Sequence, residues 1–209
     1  MQFIILANQL QKQELSSKKI NPDVEVIYVS HDTALLDYTT SDVMLLLNPE
    51  LSPATLNKLE SKSIFLNSVS HTLNEGQFPK SVSRINGWMT FLKNDVWEIV
   101  SLDEKKSAEI FNNLGWQHIF VNDDPGFVSA RIIAMIINEA YFALGDGVSS
   151  KEEIDVAMKL GTNYPYGPFE WCEKIGLKNI HSLLVALNRK SERYKIAPLI
   201  EKEVAKFNL

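Results

Sequence analysis

The sequence holds one cysteine, Cys172, so no internal disulfide can form and the reducing cytoplasm is the expected location. With no spaced partner cysteine and no local His–Cys pattern, Cys172 reads as a packing residue, and no metal site is expected. No apolar run reaches the roughly 18–20 residues that cross a bilayer, so no membrane association is expected. The start has no basic n-region and no small-residue cleavage site, which argues against export. Basic runs are missing as well: 21 Lys and Arg stand against 26 Asp and Glu, for a net charge of -5. That balance argues against nucleic acid as a partner. Repeats and low-complexity segments are absent, and 209 residues with 45% hydrophobic content suit one large domain or two small ones.

A further absence is local. The apolar run "QFIILAN" passes into the polar, helix-prone "QLQKQE" without a glycine at the bend. A fold that seats a dinucleotide puts two or three glycines there, so that bare backbone meets the pyrophosphate. Gln9 and Leu10 instead bring side chains to that place.

What is present alternates strand and helix. "QFIILAN", "VEVIYVS", "DVMLLLN" and "SIFLNSV" are nearly continuous apolar runs, the pattern of parallel strands covered on both faces. "SPATLNKLE" reads as a helix capped by Ser52 with Pro53 at its first position. "GWMTFLK" and "VWEIVS" continue the sheet, "DEKKSAEIFNNLGW" is an amphipathic helix, and "HIFVND" is the last strand. This is an α/β succession.

After Asn122 no strand-like run recurs, which divides the chain into an α/β domain at 1–122 and an all-helical domain at 123–209. Asp124 and Pro125 open the reading of a helix through "GFVSARIIAMIINEAYFAL", apolar almost all round and so expected to be buried on several sides. It stops at Gly145-Asp146-Gly147. Ser150 and Glu153 form a capping box for "KEEIDVAMKL", which ends at Gly161. "PFEWCEKI" begins at Pro168, and "NIHSLLVALNRKSERYK" is a longer helix. A helical domain this small calls for a partner surface.

"DDPGFVSARI" at 123–132 and "SSKEEIDVAMKLGTNYPYGPFEW" at 149–171 resemble the C-terminal domain of 3-hydroxyacyl-CoA dehydrogenases, and "ERYKIAPLIEK" is similar to that family's closing helix. Over 1–122 the likeness is weaker but collinear. The resemblance implies a Rossmann-like first domain, here truncated, a helical dimerisation domain, and an acyl-CoA groove between them. Tyr164-Pro165 and Gly167-Pro168 suit a rigid double turn, with Tyr166, Phe169 and Trp171 beside it as packing aromatics.

Matched residue by residue, the chemistry is incomplete. The family's catalytic His falls on Met89, and no histidine lies between His71 and His118. His31, His71, His118 and His181 read as surface or packing residues. The family's carboxylate falls on Ser101 without a gap, or on Glu98 if the loop is shortened; Glu98 is preferred. The family's Asn falls on Ala130, followed by Arg131. The hydroxyl-rich substrate turn survives partly as "LNSVSH", with Ser70 its best candidate. Ser70, Glu98 and Arg131 are thus the groove candidates, and Asp32 is a weak candidate for the ribose acid. The expectation is a dehydrogenase-like homodimer without bound cofactor or hydride transfer, keeping an acyl-CoA groove. The alternatives are an active NAD-dependent enzyme of fatty acid metabolism with displaced catalytic residues, or a structural or regulatory dimer.

Overall fold

The computed structural model describes residues 1–47, 53–59 and 63–206. By internal packing the chain forms two units, Met1–Phe127 and Val128–Leu209.

The first unit is a seven-stranded sheet: β1 (Gln2–Leu6), β2 (Glu25–Val29), β3 (Val43–Leu46), β4 (Ser63–Asn67), β5 (Val82–Ile85), β6 (Val96–Val100) and β7 (Gln117–Phe120). Their order across the sheet is β2-β1-β3-β4-β5-β6-β7, parallel throughout except for the antiparallel β5–β6 pair. Apolar clusters cover both faces, as the continuous strand patterns demand. One gathers Phe3, Ile5 and Phe65 with Phe111 and Leu114 of α3 (Glu104–Leu114). The other joins Ile4, Met44 and Leu66 to Leu35, in a 3-10 segment at Asp32–Tyr38, and to Leu56 of α2 (Pro53–Leu56). The proposed cap of α2, Ser52, lies outside the described residues. Gly115 ends α3 in the left-handed region at φ 78°.

Two expectations for this unit need correction. "GWMTFLK" is not a strand: residues 89–93 form turns, and Thr90 has φ 78°. Its Trp88 and Leu92 are buried in a loop, which mimics strand hydrophobicity. The strand lies just before it, at Val82–Ile85, where the polar Ser83 and Arg84 disguise it. Nor does Asp124 cap a helix. Residues 125–128 are a turn, with Gly126 at φ 86° and Phe127 at φ 51°, and α4 begins only at Ser129.

Within the described residues the second unit has only helices: α4 (Ser129–Gly145), α5 (Lys151–Thr162), α6 (Pro168–Ile175), α7 (Leu177–Asn188) and α8 (Pro198–Ala205). The expected Ser150–Glu153 box caps α5. That helix runs past Gly161 to Thr162, because Asn163, at φ 57°, supplies the left-handed residue that stops it. The helix expected through "NIHSLLVALNRKSERYK" stops at Asn188, and "ERY" is a separate 3-10 turn. On α4, Ile133, Ala134, Ile137 and Tyr141 are buried. The opposite side is not enclosed within this chain: Ile132 is 53% exposed, and Met135 and Ile136 are half-buried. The buried carboxamide of Asn138 donates to Lys195 O at 2.9 Å and accepts from Ala197 N at 2.9 Å, tying α4 to the start of α8.

Candidate functional site

In an open α/β sheet the ligand crevice lies beyond the carboxyl ends of the strands, where the strand order reverses. Here that point is between β1 and β3, since β2 lies on the other side of β1. The crevice is laced by carboxamides. Asn8 caps α1 (Gln9–Leu15) by accepting from Gln11 N at 2.9 Å, while the Gln11 side chain accepts from Asn8 N at 2.9 Å. Gln11 Nε2 also donates to Leu47 O at 3.2 Å, and Asn67 Nδ2 donates to the same carbonyl at 2.9 Å. Asn67 Oδ1 in turn accepts from Gly87 N at 3.0 Å. Glycine is needed at 87, where a Cβ would come within 2.9 Å of Asn67 and 3.0 Å of Leu47.

The residue filling the bend is therefore Gln11, which is buried, and neither Gln9 nor Leu10, which are exposed. The box satisfies two of the helix's orphan amide donors with its own side chains. With seven residues in α1 and no glycine, the bend does not fit a pyrophosphate in the Rossmann manner. Asp32, three residues past β2, is exposed, and its Oδ1 accepts from Thr33 N at 2.9 Å.

The other candidates fall in both units. Met89 is half-buried against the Phe3–Phe65 cluster. Glu98 is 9% exposed on β6. Ser101 belongs to a hydroxyl trio, 2.9 Å from Ser83 and 2.8 Å from Ser107. Ser70 is half-buried in the turn after β4, and its hydroxyl has no hydrogen-bond partner among the described residues. In the second unit, Ala130 is fully buried on the first turn of α4 and Arg131 beside it is half-buried. His118 packs against Phe111 and Phe120, while His181 Nε2 lies 3.1 Å from Glu201.

Sequence reading missed Arg84. This arginine is wholly buried on β5 and pairs with Asp123. Its Nε donates to Ser68 O at 2.9 Å, and Nη2 reaches Val69 O at 3.3 Å and Asp124 O at 3.4 Å. The guanidinium lies 4.8 Å from the centre of the Phe127 ring. Burial lowers its pKa from the ordinary arginine value, and Asp123 opposes that shift. Asp123 also accepts from Leu73 N at 2.9 Å, and Gly126 N donates to Val69 O at 2.8 Å. These bonds keep residues 123–127 with the first unit.

The second unit contains a cleft of about 510 Å³ whose walls include Tyr141, Lys151, Phe169, Cys172 and Glu203. Lys151 Nζ lies 3.1 Å from Glu203 Oε1 and over the Tyr141 and Phe169 rings, at 5.2 and 5.3 Å. Tyr141 donates to Glu203 Oε2 at 2.9 Å. Burial pushes the Cys172 thiol up to about 11. Among the described residues no cluster of His, Cys, Asp and Glu could hold a metal ion.

Comparison with known proteins places this geometry. Residues 126–208 match the family model described as 3-hydroxyacyl-CoA dehydrogenase, C-terminal domain. The 3-hydroxyadipyl-CoA dehydrogenase of Escherichia coli (strain K12) is 45% identical over 98 residues, which is 46% of this chain and 21% of that enzyme. A probable 3-hydroxybutyryl-CoA dehydrogenase of Bacillus subtilis (strain 168) is 35% identical over 136 residues, 64% of this chain and 44% of that one. The chain thus spans less than half the length of either relative. The crystal structure of (S)-3-hydroxybutyryl-CoA dehydrogenase from Ralstonia eutropha superposes with a TM-score of 0.70 at 21% identity, covering 98% of this chain and 93% of that one, and has the same fold. Residues 126–208 are thus a domain of the 3-hydroxyacyl-CoA dehydrogenase C-terminal type.

Proposed function

We propose that this protein is a 3-hydroxyacyl-CoA dehydrogenase relative that no longer transfers hydride and that keeps a surface for acyl-CoA thioesters. The carrying observation is the Asn8–Gln11 box, whose carboxamide sits at the helix start where a pyrophosphate would need bare backbone. The changes at Met89 and Ala130 agree with it, since neither side chain can move a proton or donate a hydrogen bond. Three separate parts of one mechanism are altered together while the scaffold motifs remain.

A second reading is an active NAD-dependent enzyme of fatty acid metabolism with displaced catalytic residues. The names of the relatives favour it. A purely structural or regulatory dimer is the third. Titration with NADH and with acetoacetyl-CoA separates them. Binding of the thioester alone supports the proposal, binding of both with turnover supports the active enzyme, and binding of neither supports the structural dimer.

The assembly we propose is a homodimer in the cytoplasm. On α5, Val156 and Leu160 lie one turn apart and are 51% and 83% exposed, an apolar stripe suited to a second copy, with Tyr164, 36% exposed, just past the helix end.

A further inference from the structure

The cleft in the second unit already holds an ammonium group of the chain itself. Lys151 Nζ stands 3.1 Å from Glu203 Oε1 and over the Tyr141 and Phe169 rings, at 5.2 and 5.3 Å. Ring faces and a carboxylate are what stabilise a cation that has left water. The cleft is larger than this occupant: its 510 Å³ falls within the roughly 300–1,000 Å³ that small-molecule sites span. Its walls are apolar at Phe169, Cys172 and Leu177, the first two of them buried.

Charge decides what the remaining space accepts. Among the residues that line the cleft, five are acidic and Lys151 alone is basic. Three of the five are engaged within the fold. Asp155 accepts from the Phe169 and Glu170 amides. Glu170 pairs with Lys159 and accepts from Gly167 N at 3.0 Å. Glu203 takes Lys151 and the Tyr141 hydroxyl. Glu152 of α5 and Glu173 of α6 remain, both exposed, and neither carboxylate has a partner among the described residues. Two uncompensated carboxylates at one cleft draw cations to it.

We propose that this cleft binds a primary alkylammonium ion, its charge held by Glu152 and Glu173 and its stem laid against Phe169, Cys172 and Leu177. Lys151 sits over both rings, so the incoming charge is held by N–H donation to carboxylates. That favours a primary amine over a quaternary ammonium, which has no N–H and needs an open ring face. The stem adds burial of apolar surface, which an inorganic cation cannot supply. The site lies wholly in the second unit and does not depend on the thioester reading.

The test is a titration of the whole chain with hexylammonium, followed by amide shifts in nuclear magnetic resonance. The controls are 1-hexanol, hexanoate and tetramethylammonium. Saturable shifts are expected at residues 151–155 and 172–177, with each control at least about tenfold weaker. Glu152→Gln combined with Glu173→Gln should weaken hexylammonium about tenfold, since each exposed ion pair is worth roughly twofold to fivefold. Both positions are exposed, so the double variant should melt with the unaltered chain. If it melts lower, the two single variants, each expected to lose about threefold, give the same comparison. Raising the ionic strength from about 0.05 M to about 0.5 M should weaken binding severalfold. Hexanol binding as tightly as hexylammonium would mean an apolar cleft without charge selection and would overturn the proposal. Tetramethylammonium binding as tightly would overturn the choice of a primary amine. Variants that bind as well as the unaltered chain, or shifts that never saturate, would overturn the site itself.

Discussion

Gln11 donates to the Leu47 carbonyl at 3.2 Å, so the residue that closes the cap of α1 also ties the bend after β1 to the end of β3. Gln11→Ala would remove these two bonds, leaving the Asn8 amide without the Gln11 carboxamide while Leu47 keeps Asn67. The expected loss is about 1–3 kcal/mol, read as a lower melting temperature. NADH fluorescence should still show no saturable enhancement, because removing one carboxamide does not supply the missing glycines. A melting temperature equal to that of the unaltered chain would show that the box contributes nothing.

The stripe on α5 gives a second prediction. Light scattering at tens of micromolar protein should report about twice 23.7 kDa. Leu160→Glu puts a charge on a residue that is 83% exposed in the single chain, so it should yield a monomer with unchanged helicity. Ile137→Asp differs in kind. Ile137 is fully covered within its own unit, and an unpaired buried charge should unfold that unit outright. A monomeric unaltered protein would refute the dimer.

Much of this architecture was legible because strand burial writes itself as apolar runs. "VMLL" and "IIL" are covered on both faces and look it. The Ser150–Glu153 box was legible for the same local reason, a hydroxyl three residues before a carboxylate. The Asn8–Gln11 box has the same spacing but is a carboxamide pair, which a hydroxyl-and-carboxylate pattern does not reveal. β5 was hidden because Arg84 looks like a surface residue until Asp123, 39 positions away, neutralises it. No local pattern announces a partner at that distance. The cleft beside Tyr141 was illegible too, since its walls come from α4, α5, α6, α8 and the start of α7.

Asp155 and Gly167 supply a third prediction. The Asp155 carboxylate accepts from Phe169 N at 2.8 Å and Glu170 N at 3.1 Å, so α5 caps α6. A Cβ on Gly167 would stand 2.3 Å from that carboxylate. Gly167→Ala must therefore push Asp155 off the helix start, and Asp155→Ala removes it directly. Each should cost about 2–3 kcal/mol, and the pair together little more than either alone, because both destroy one cap. Additive losses in denaturant titrations would contradict this.

The Cys172 thiol supplies a fourth, in pH. Its folded value is raised to about 11 from an ordinary 9.0, chiefly by burial. A raised value means that the unfolded chain gives up its proton first. The thiol's contribution is thus full below pH 9 and fades as pH rises towards 11, by roughly 2–3 kcal/mol in all. Tyr141, raised mainly by burial and also by Glu203, adds loss in the same direction at higher pH. Stability measured by denaturant between pH 8 and 11 should fall, and Cys172→Ala should flatten part of that fall. Rapid alkylation of native Cys172 at pH 8 would show that the thiol is not shielded.

The last prediction concerns rebuilding the family's site with Met89→His and Ala130→Asn. On chemistry alone, a well-placed general base is worth about 10²–10⁴ in rate, enough to detect. Two features oppose it. Ala130 is fully covered on α4, so an asparagine there adds volume and a polar group where no space is open, and should destabilise the helix start by about 1–3 kcal/mol. More decisively, a base acts only on a substrate carbon held against a nicotinamide, and such positioning is worth roughly 7–11 kcal/mol. The Gln11 carboxamide occupies the bend where that cofactor would anchor, so the larger contribution stays absent. The double variant should therefore oxidise NADH with acetoacetyl-CoA no faster than the unaltered chain. Clear turnover by the variant would mean that the first unit seats a dinucleotide by a route that avoids this bend. Turnover by the unaltered protein would overturn the inactive reading and leave the displaced-residue enzyme in its place.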